Sequence, residues 1–188
     1  AAGGDHQASP EKNGTLMKQL LLIGGPMGVG KSSVCQALMD ELMPCVYLDG
    51  DWCWNMRPFL VTEETKAMVM DNICSMLNRF LSCTELETII FGWVMHQQAI
   101  WDELCRRLPL EEVSIYRFSL LASPDELRRR LTSDIKVGLR SEDVIERSLD
   151  YLPLYRVLDT IHIDTDGKDP KKIAQEIAKI CRGGMEGK

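Results

Sequence analysis

Eight residues constrain this chain more than any others: Gly25-Pro26-Met27-Gly28-Val29-Gly30-Lys31-Ser32. The spacing is G-x-x-x-x-G-K-[ST], the pattern of a backbone loop that wraps phosphate groups. Glycine lets successive N–H groups turn inward where side chains would obstruct them. In that arrangement Lys31 reaches the β- and γ-phosphates and the Ser32 hydroxyl completes the coordination of Mg²⁺. The flanks meet the requirement that such a loop join a strand to a helix. The apolar run at 19–24 reads as a buried parallel strand. Residues 32–42 read as an amphipathic helix with Val34, Leu38 and Leu42 four apart. The helix N-terminus adds its own preference for anions, which brings Ser33 into the candidate set beside Gly25, Met27, Gly28, Val29 and Gly30. The chain is therefore expected to bind a nucleoside triphosphate, with ATP and Mg²⁺ as the pair to test.

Composition narrows the partners. At 188 residues a single core of useful size is expected. Net charge is −6, which gives no electrostatic footprint for nucleic acid. Apolar runs are strand-length, so no membrane span is expected. Seven dispersed cysteines form no C-x-x-C pair and fit reduced packing thiols in a cytoplasmic protein. Residues 1–16 are small, polar and aperiodic, and read as an expression scar or a disordered leader. The working domain is then 17–183, as a monomer or homodimer.

Beyond the first helix, strands are expected at 45–48, 88–93, 113–121 and 160–164. Helices are expected at 62–82, 98–108, 125–133, 141–151 and 170–181, with a mobile-looking segment over 52–58. His162, inside the last strand, reads as a satisfied core residue, and the ten methionines as core filler. Alternating strands and helices give an α/β chain: a three-layer, doubly wound, parallel five-stranded sheet with right-handed crossovers. Ligands in such sheets sit beyond the carboxyl ends of the strands. That rule selects 24–32, 49–57, 92–96, 121–123 and 164–169 as the functional rim.

Neither the third nor the fourth expected strand ends in a carboxylate, which disfavours an ATP-driven motor. The carboxylates follow the second strand instead, at Asp49 and Asp51. Two residues apart in extended chain, they could point the same way. One could orient metal-bound water while the other accepts a proton from an acceptor hydroxyl. Capping of a following turn is the plainer alternative for either.

The phosphate loop followed by Leu48-Asp49-Gly50-Asp51 resembles the small P-loop kinases. That group includes gluconate, shikimate and adenylylsulfate kinases, chloramphenicol phosphotransferases and tunicamycin-resistance proteins. The resemblance implies that Asp51 contacts the acceptor and that Asp49 lies nearer the metal. The run Ser123-Pro124-Asp125-Glu126-Leu127-Arg128-Arg129-Arg130-Leu131 looks like the helix entering their lid, here about 133–142. Arg130 then falls near adenine, as does Asp166 in the loop after the fifth strand. Many relatives carry a further arginine four residues after the Arg130 position. Here that residue is Asp134, so Lys136 or Arg140 must stand in, and Arg140 is taken as the catalytic lid clamp with Arg147 as second candidate.

The acceptor pocket is expected around Trp52, Trp54, Arg57, Trp93 and His96. Tryptophans could stack on a planar or apolar acceptor, or simply anchor the loop; Arg57 could hold an anionic group. The reading is a phosphotransferase moving the γ-phosphoryl of Mg·ATP to a small-molecule hydroxyl or phosphate acceptor. A nucleoside monophosphate kinase and a non-catalytic ATP-binding regulatory or resistance protein stand as alternatives.

Overall fold

The structure, a computed structural model, describes residues 17–185; the leader reading at 1–16 lies outside the described residues. Five parallel strands, β1 (Lys18–Gly24), β2 (Cys45–Asp49), β3 (Thr88–Gly92), β4 (Val113–Leu121) and β5 (Ile161–Asp164), form one sheet in the order β2-β3-β1-β4-β5. The helices are α1 (Lys31–Glu41), α2 (Glu63–Ser82), α3 (Gln98–Arg107), α4 (Pro124–Lys136), α5 (Val144–Tyr155) and α6 (Pro170–Met185). β1 is central and buried on both faces, as its unbroken apolar run requires. Its alternate residues serve two cores. Leu21 and Ile23 face Val34 and Leu38 of α1 and Ile173 and Ile177 of α6. Leu20 and Leu22 face Ile73 and Leu77 of α2 and Trp101 and Leu104 of α3. The fold class is thus the three-layer α/β arrangement expected. No helix among the described residues is long and apolar enough to cross a membrane.

Four local expectations need correction. Segment 52–58 is not irregular throughout, because Gly50–Trp54 winds into a 3-10 helix directly off β2. α4 runs to Lys136, three residues beyond expectation, so the connection to α5 is only 137–143. His162 is exposed, since β5 pairs only with β4 and is an edge strand. The methionines are also less buried than core filler requires: Met95 is fully enclosed, while Met43, Met68 and Met76 are exposed. The seven cysteines are free thiols, of which Cys35, Cys74 and Cys181 are buried.

Candidate nucleotide and acceptor site

The loop between β1 and α1 has the conformation its glycines allow. Gly28 and Gly30 take φ of 80° and 100°, a region L side chains rarely adopt. A Cβ on Gly28 would also lie 2.5 Å from Cδ2 of Leu131, so the loop rests directly on α4. Behind it, a Cβ on Gly24 would meet the indole of Trp101 at 2.5 Å. Lys31 Nζ donates to the carbonyls of Gly25 at 2.9 Å and Pro26 at 3.0 Å, folded back across its own loop. Burial pulls its pKa down to about 8, against the opposing pull of the Asp51 carboxylate. Ser32 and Ser33 are exposed at the start of α1.

Asp49 does two jobs at the end of β2. Its Oδ2 accepts from Tyr47 Oη at 2.9 Å and from Ser32 Oγ at 3.2 Å. Its Oδ1 accepts the Asp51 N–H at 3.0 Å and so caps the 3-10 helix. One carboxylate thus caps the turn and holds the Ser32 hydroxyl, so the capping reading and the metal-side expectation do not exclude one another. The two aspartates are not on extended chain, as the sequence reading had it, because the helical turn at Gly50 intervenes. They still line one cleft. Burial and the neighbouring Asp49 charge push the Asp51 carboxyl above the usual carboxylate range, while Lys31 and a Trp93 contact pull the other way.

That cleft, of about 380 Å³, also takes in Gly92 and Val94 at the end of β3 and Asp134 and Arg140 from the lid side. Arg140 Nε donates to Asp134 Oδ2 at 3.0 Å. Where the resembling proteins often place an arginine, this chain places the carboxylate that holds one. Neither Lys136 nor Arg147 lines the cleft; Arg147 pairs with Asp143 on the outside at 3.4 Å. Tyr47 and Asp134, neither chosen from sequence as site residues, sit in the wall. Tyr47 is legible in retrospect, being two residues before Asp49 on the same face of β2.

A second cleft of about 430 Å³ adjoins the first, sharing Gly30, Ser33 and Arg130. Its remaining wall comes from Glu126 and Arg129 of α4 and from 167–170 after β5. Arg130 joins its sides: Nη1 donates to Val29 O at 2.9 Å and Thr165 Oγ1 at 3.1 Å, Nη2 to Thr165 O at 2.8 Å, and Nε to Glu126 at 2.7 Å. With these donors committed, what the guanidinium has left for a nucleotide base is chiefly its flat face. Arg129 and Arg130 together hold the Glu126 carboxyl down at about 2. Asp166 is not brought into this lining. Its Oδ1 instead accepts the Ser123 N–H at 2.9 Å, bracing the start of α4.

The acceptor candidates separate. Trp54 is an anchor, with Nε1 donating to Leu60 O at 3.2 Å and its ring 6.4 Å from that of Trp93. Trp52 is 65% exposed, its ring 5.8 Å from Tyr47. Trp93 closes over Gly50, where a Cβ would meet its ring at 2.4 Å. Arg57 is exposed and makes no ion pair among the described residues. His96 stacks on Tyr151 at 4.1 Å with Nδ1 buried and unpartnered, and burial lowers its pKa. It is not part of the cleft lining. Sequence reasoning also missed Trp101 and Tyr155, both fully buried beneath the phosphate loop, with Trp101 Nε1 donating to Met95 O at 2.8 Å.

Comparison with known proteins agrees with this fold. Residues 21–146 match the family described as AAA domain. Among solved structures, the tunicamycin resistance protein of Deinococcus radiodurans superposes with a TM-score of 0.66 at 20% identity, covering 87% of this chain and 95% of its own. A gluconokinase from Sinorhizobium meliloti 1021 gives 0.65 at 16% identity, covering 90% and 97%. Shikimate kinase from Acinetobacter baumannii, in complex with shikimate, gives 0.60 at 20% identity, covering 89% and 94%. No curated protein sequence matches significantly.

Proposed function

Since the chain belongs to the AAA-domain family and has the fold of the small P-loop kinases, we propose that it transfers the γ-phosphoryl of Mg·ATP to a small-molecule acceptor. The observation that carries this is the convergence of Lys31, Ser32, Asp49, Asp51 and Arg140 on one cleft. The adjoining cleft bounded by Arg130 suits the base.

The residues fit the groups they would hold. Among the described residues no cluster of three His, Cys, Asp or Glu side chains could cage a metal. A Mg²⁺ ion takes few protein ligands and keeps water and phosphate oxygens. The Ser32 hydroxyl, with Asp49 holding its water shell, is a donor set of that kind. When bound, the ion neutralises developing phosphate charge.

Lys31 would exchange its two loop carbonyls for phosphate oxygens. Asp51 would take the acceptor hydroxyl proton as the oxygen attacks the γ-phosphorus in line, the bridging P–O bond breaks, and ADP leaves. Its raised pKa suits a proton acceptor better than an ordinary surface carboxylate would. Arg140 would leave Asp134 for the charge spread over the equatorial oxygens. The test is ADP release from Mg·ATP with and without a panel of hydroxylated and phosphorylated acceptors. Stimulation by one class, lost in Asp51→Asn and Lys31→Ala, is the expected result. Flat turnover across the panel despite nucleotide binding would overturn it.

A further inference from the structure

One bank of the site, the 3-10 turn that carries Asp51 and the segment that follows it, exposes several large apolar side chains outside the cleft lining. Trp52 is 65% exposed, Phe59 66%, Leu60 48% and Val61 56%. Trp52 is the residue after Asp51 and packs on Tyr47, while an aromatic chain leads from the same turn to Phe59. Trp54 lies 5.6 Å from Phe59 and 6.4 Å from Trp93, and the Trp93 ring packs against Gly50, the residue before Asp51. The apolar surface therefore runs from the reacting carboxylate outward to residues 59–61. Contiguous exposed patches of this kind mark binding surfaces.

Charge decides what the surface can hold. An anionic acceptor calls for a preorganised, desolvated arginine fork. The cation on this bank is Arg57, exposed and without an ion pair among the described residues. The cations deeper in the cleft are engaged elsewhere, Lys31 on its loop and Arg140 on Asp134. Lys31, Arg130 and Arg140 share the cavity with Asp49, Asp51 and Asp134, so once the triphosphate occupies the cations a second anion would meet three carboxylates. Resting on the kinase reading above, we propose that the acceptor is an uncharged alcohol with an apolar, ring-bearing body. Its hydroxyl sits at Asp51 and its ring lies on Trp52 and the 59–61 segment. The hydroxyl oxygen gains the γ-phosphoryl, its proton passes to Asp51, and ADP is the leaving group.

The test uses a homologous series from phenylmethanol to 5-phenyl-1-pentanol, titrated into the Mg·ADP-bound protein and followed by tryptophan emission and calorimetry. Gluconate and adenosine monophosphate serve as anionic comparators. Affinity should rise roughly fourfold per methylene while the chain stays on the patch. Leu60→Ser and Phe59→Ser should each weaken the longer alcohols about tenfold. Trp52→Phe, at the most open position in the 3-10 helix, should reduce the emission change while calorimetry still reports alcohol binding, and it keeps the test open if Phe59→Ser fails to fold.

Tighter binding of the anions, lost in Arg57→Ala, would overturn the proposal. So would a flat response along the series, or a dimer that buries the patch and dissociates in Phe59→Ser. Phenylalkanol binding that depends on Leu60, without ADP release from Mg·ATP for any alcohol, would support the surface and refute the kinase reading instead.

Discussion

Replacing Asp134 by alanine should tighten Mg·ATP binding, although it deletes a residue from the site. Arg140 Nε is held by Asp134 at 3.0 Å, with the two side chains 35% and 32% exposed. An ion pair at that exposure contributes about 0.5–1 kcal/mol after solvent screening. The triphosphate must displace that contact to recruit Arg140, so its removal should lower Kd about two- to fivefold. Titrating Mg·ATP by calorimetry into wild type, Asp134→Ala, Arg140→Ala and the double variant closes a cycle. Arg140→Ala should weaken binding, and the Asp134→Ala gain should vanish in its background. The gain should also shrink as ionic strength rises. Weaker binding by Asp134→Ala would refute the latch. A gain that persisted without Arg140 would refute it too, leaving only repulsion between carboxylate and phosphate.

Other outcomes follow from shifted titrations and from packing around the phosphate loop. Lys31, lowered to about 8 from an ordinary 10.5, should regain its proton on contact with phosphates. Mg·ATP binding should therefore take up protons above pH 8 and weaken as pH climbs, measurable in buffers of different ionisation enthalpy. The same shift makes folding stability rise with pH between about 8 and 10.5, where the unfolded chain binds the extra proton. Asp51, whose folded pKa is raised, costs stability when ionised. Asp51→Asn should therefore raise the melting temperature at neutral pH, and the gain should disappear as pH falls through the folded pKa. Trp101→Ala removes a fully buried indole from beneath Gly24 and orphans the Met95 carbonyl. It should cost about 3–5 kcal/mol in urea unfolding. Gly28→Ala should strain the loop by about 1–2 kcal/mol and press on Leu131, weakening ATP more than it lowers stability.

What could be read from the sequence was local. The phosphate loop is specified by backbone freedom within eight residues, and β1 by an apolar run that only a buried parallel strand explains. Asp49 and Asp51 were found because strand ends converge on one rim. The 3-10 turn at Gly50 escaped notice because a long-range contact, the Trp93 ring lying where a Cβ would stand, dictates it. Asp134 could be seen as a departure from a pattern, but its pairing with Arg140 depends on how the 137–143 connection doubles back. Asp166 was misplaced by one turn of loop: its neighbours line the cleft while its carboxylate holds Ser123. Trp101 carried no local signal at all, since its significance is the glycine it covers.

On the proposed kinase reading, Arg130 would also set the mechanics of the lid. Its guanidinium fastens the phosphate loop through Val29, the base-side loop through Thr165 and α4 through Glu126. Asp134 lies one helical turn further along the same helix, where the connection to α5 is about to begin. Arg130 is thus a fulcrum: helix on its N-terminal side is fixed to the nucleotide floor, and chain on its C-terminal side is the lever. On the proposed kinase reading, a nucleotide pressing on the Arg130 face would reach Asp134 through one turn of helix, which would tie occupancy of the base cleft to the release of Arg140.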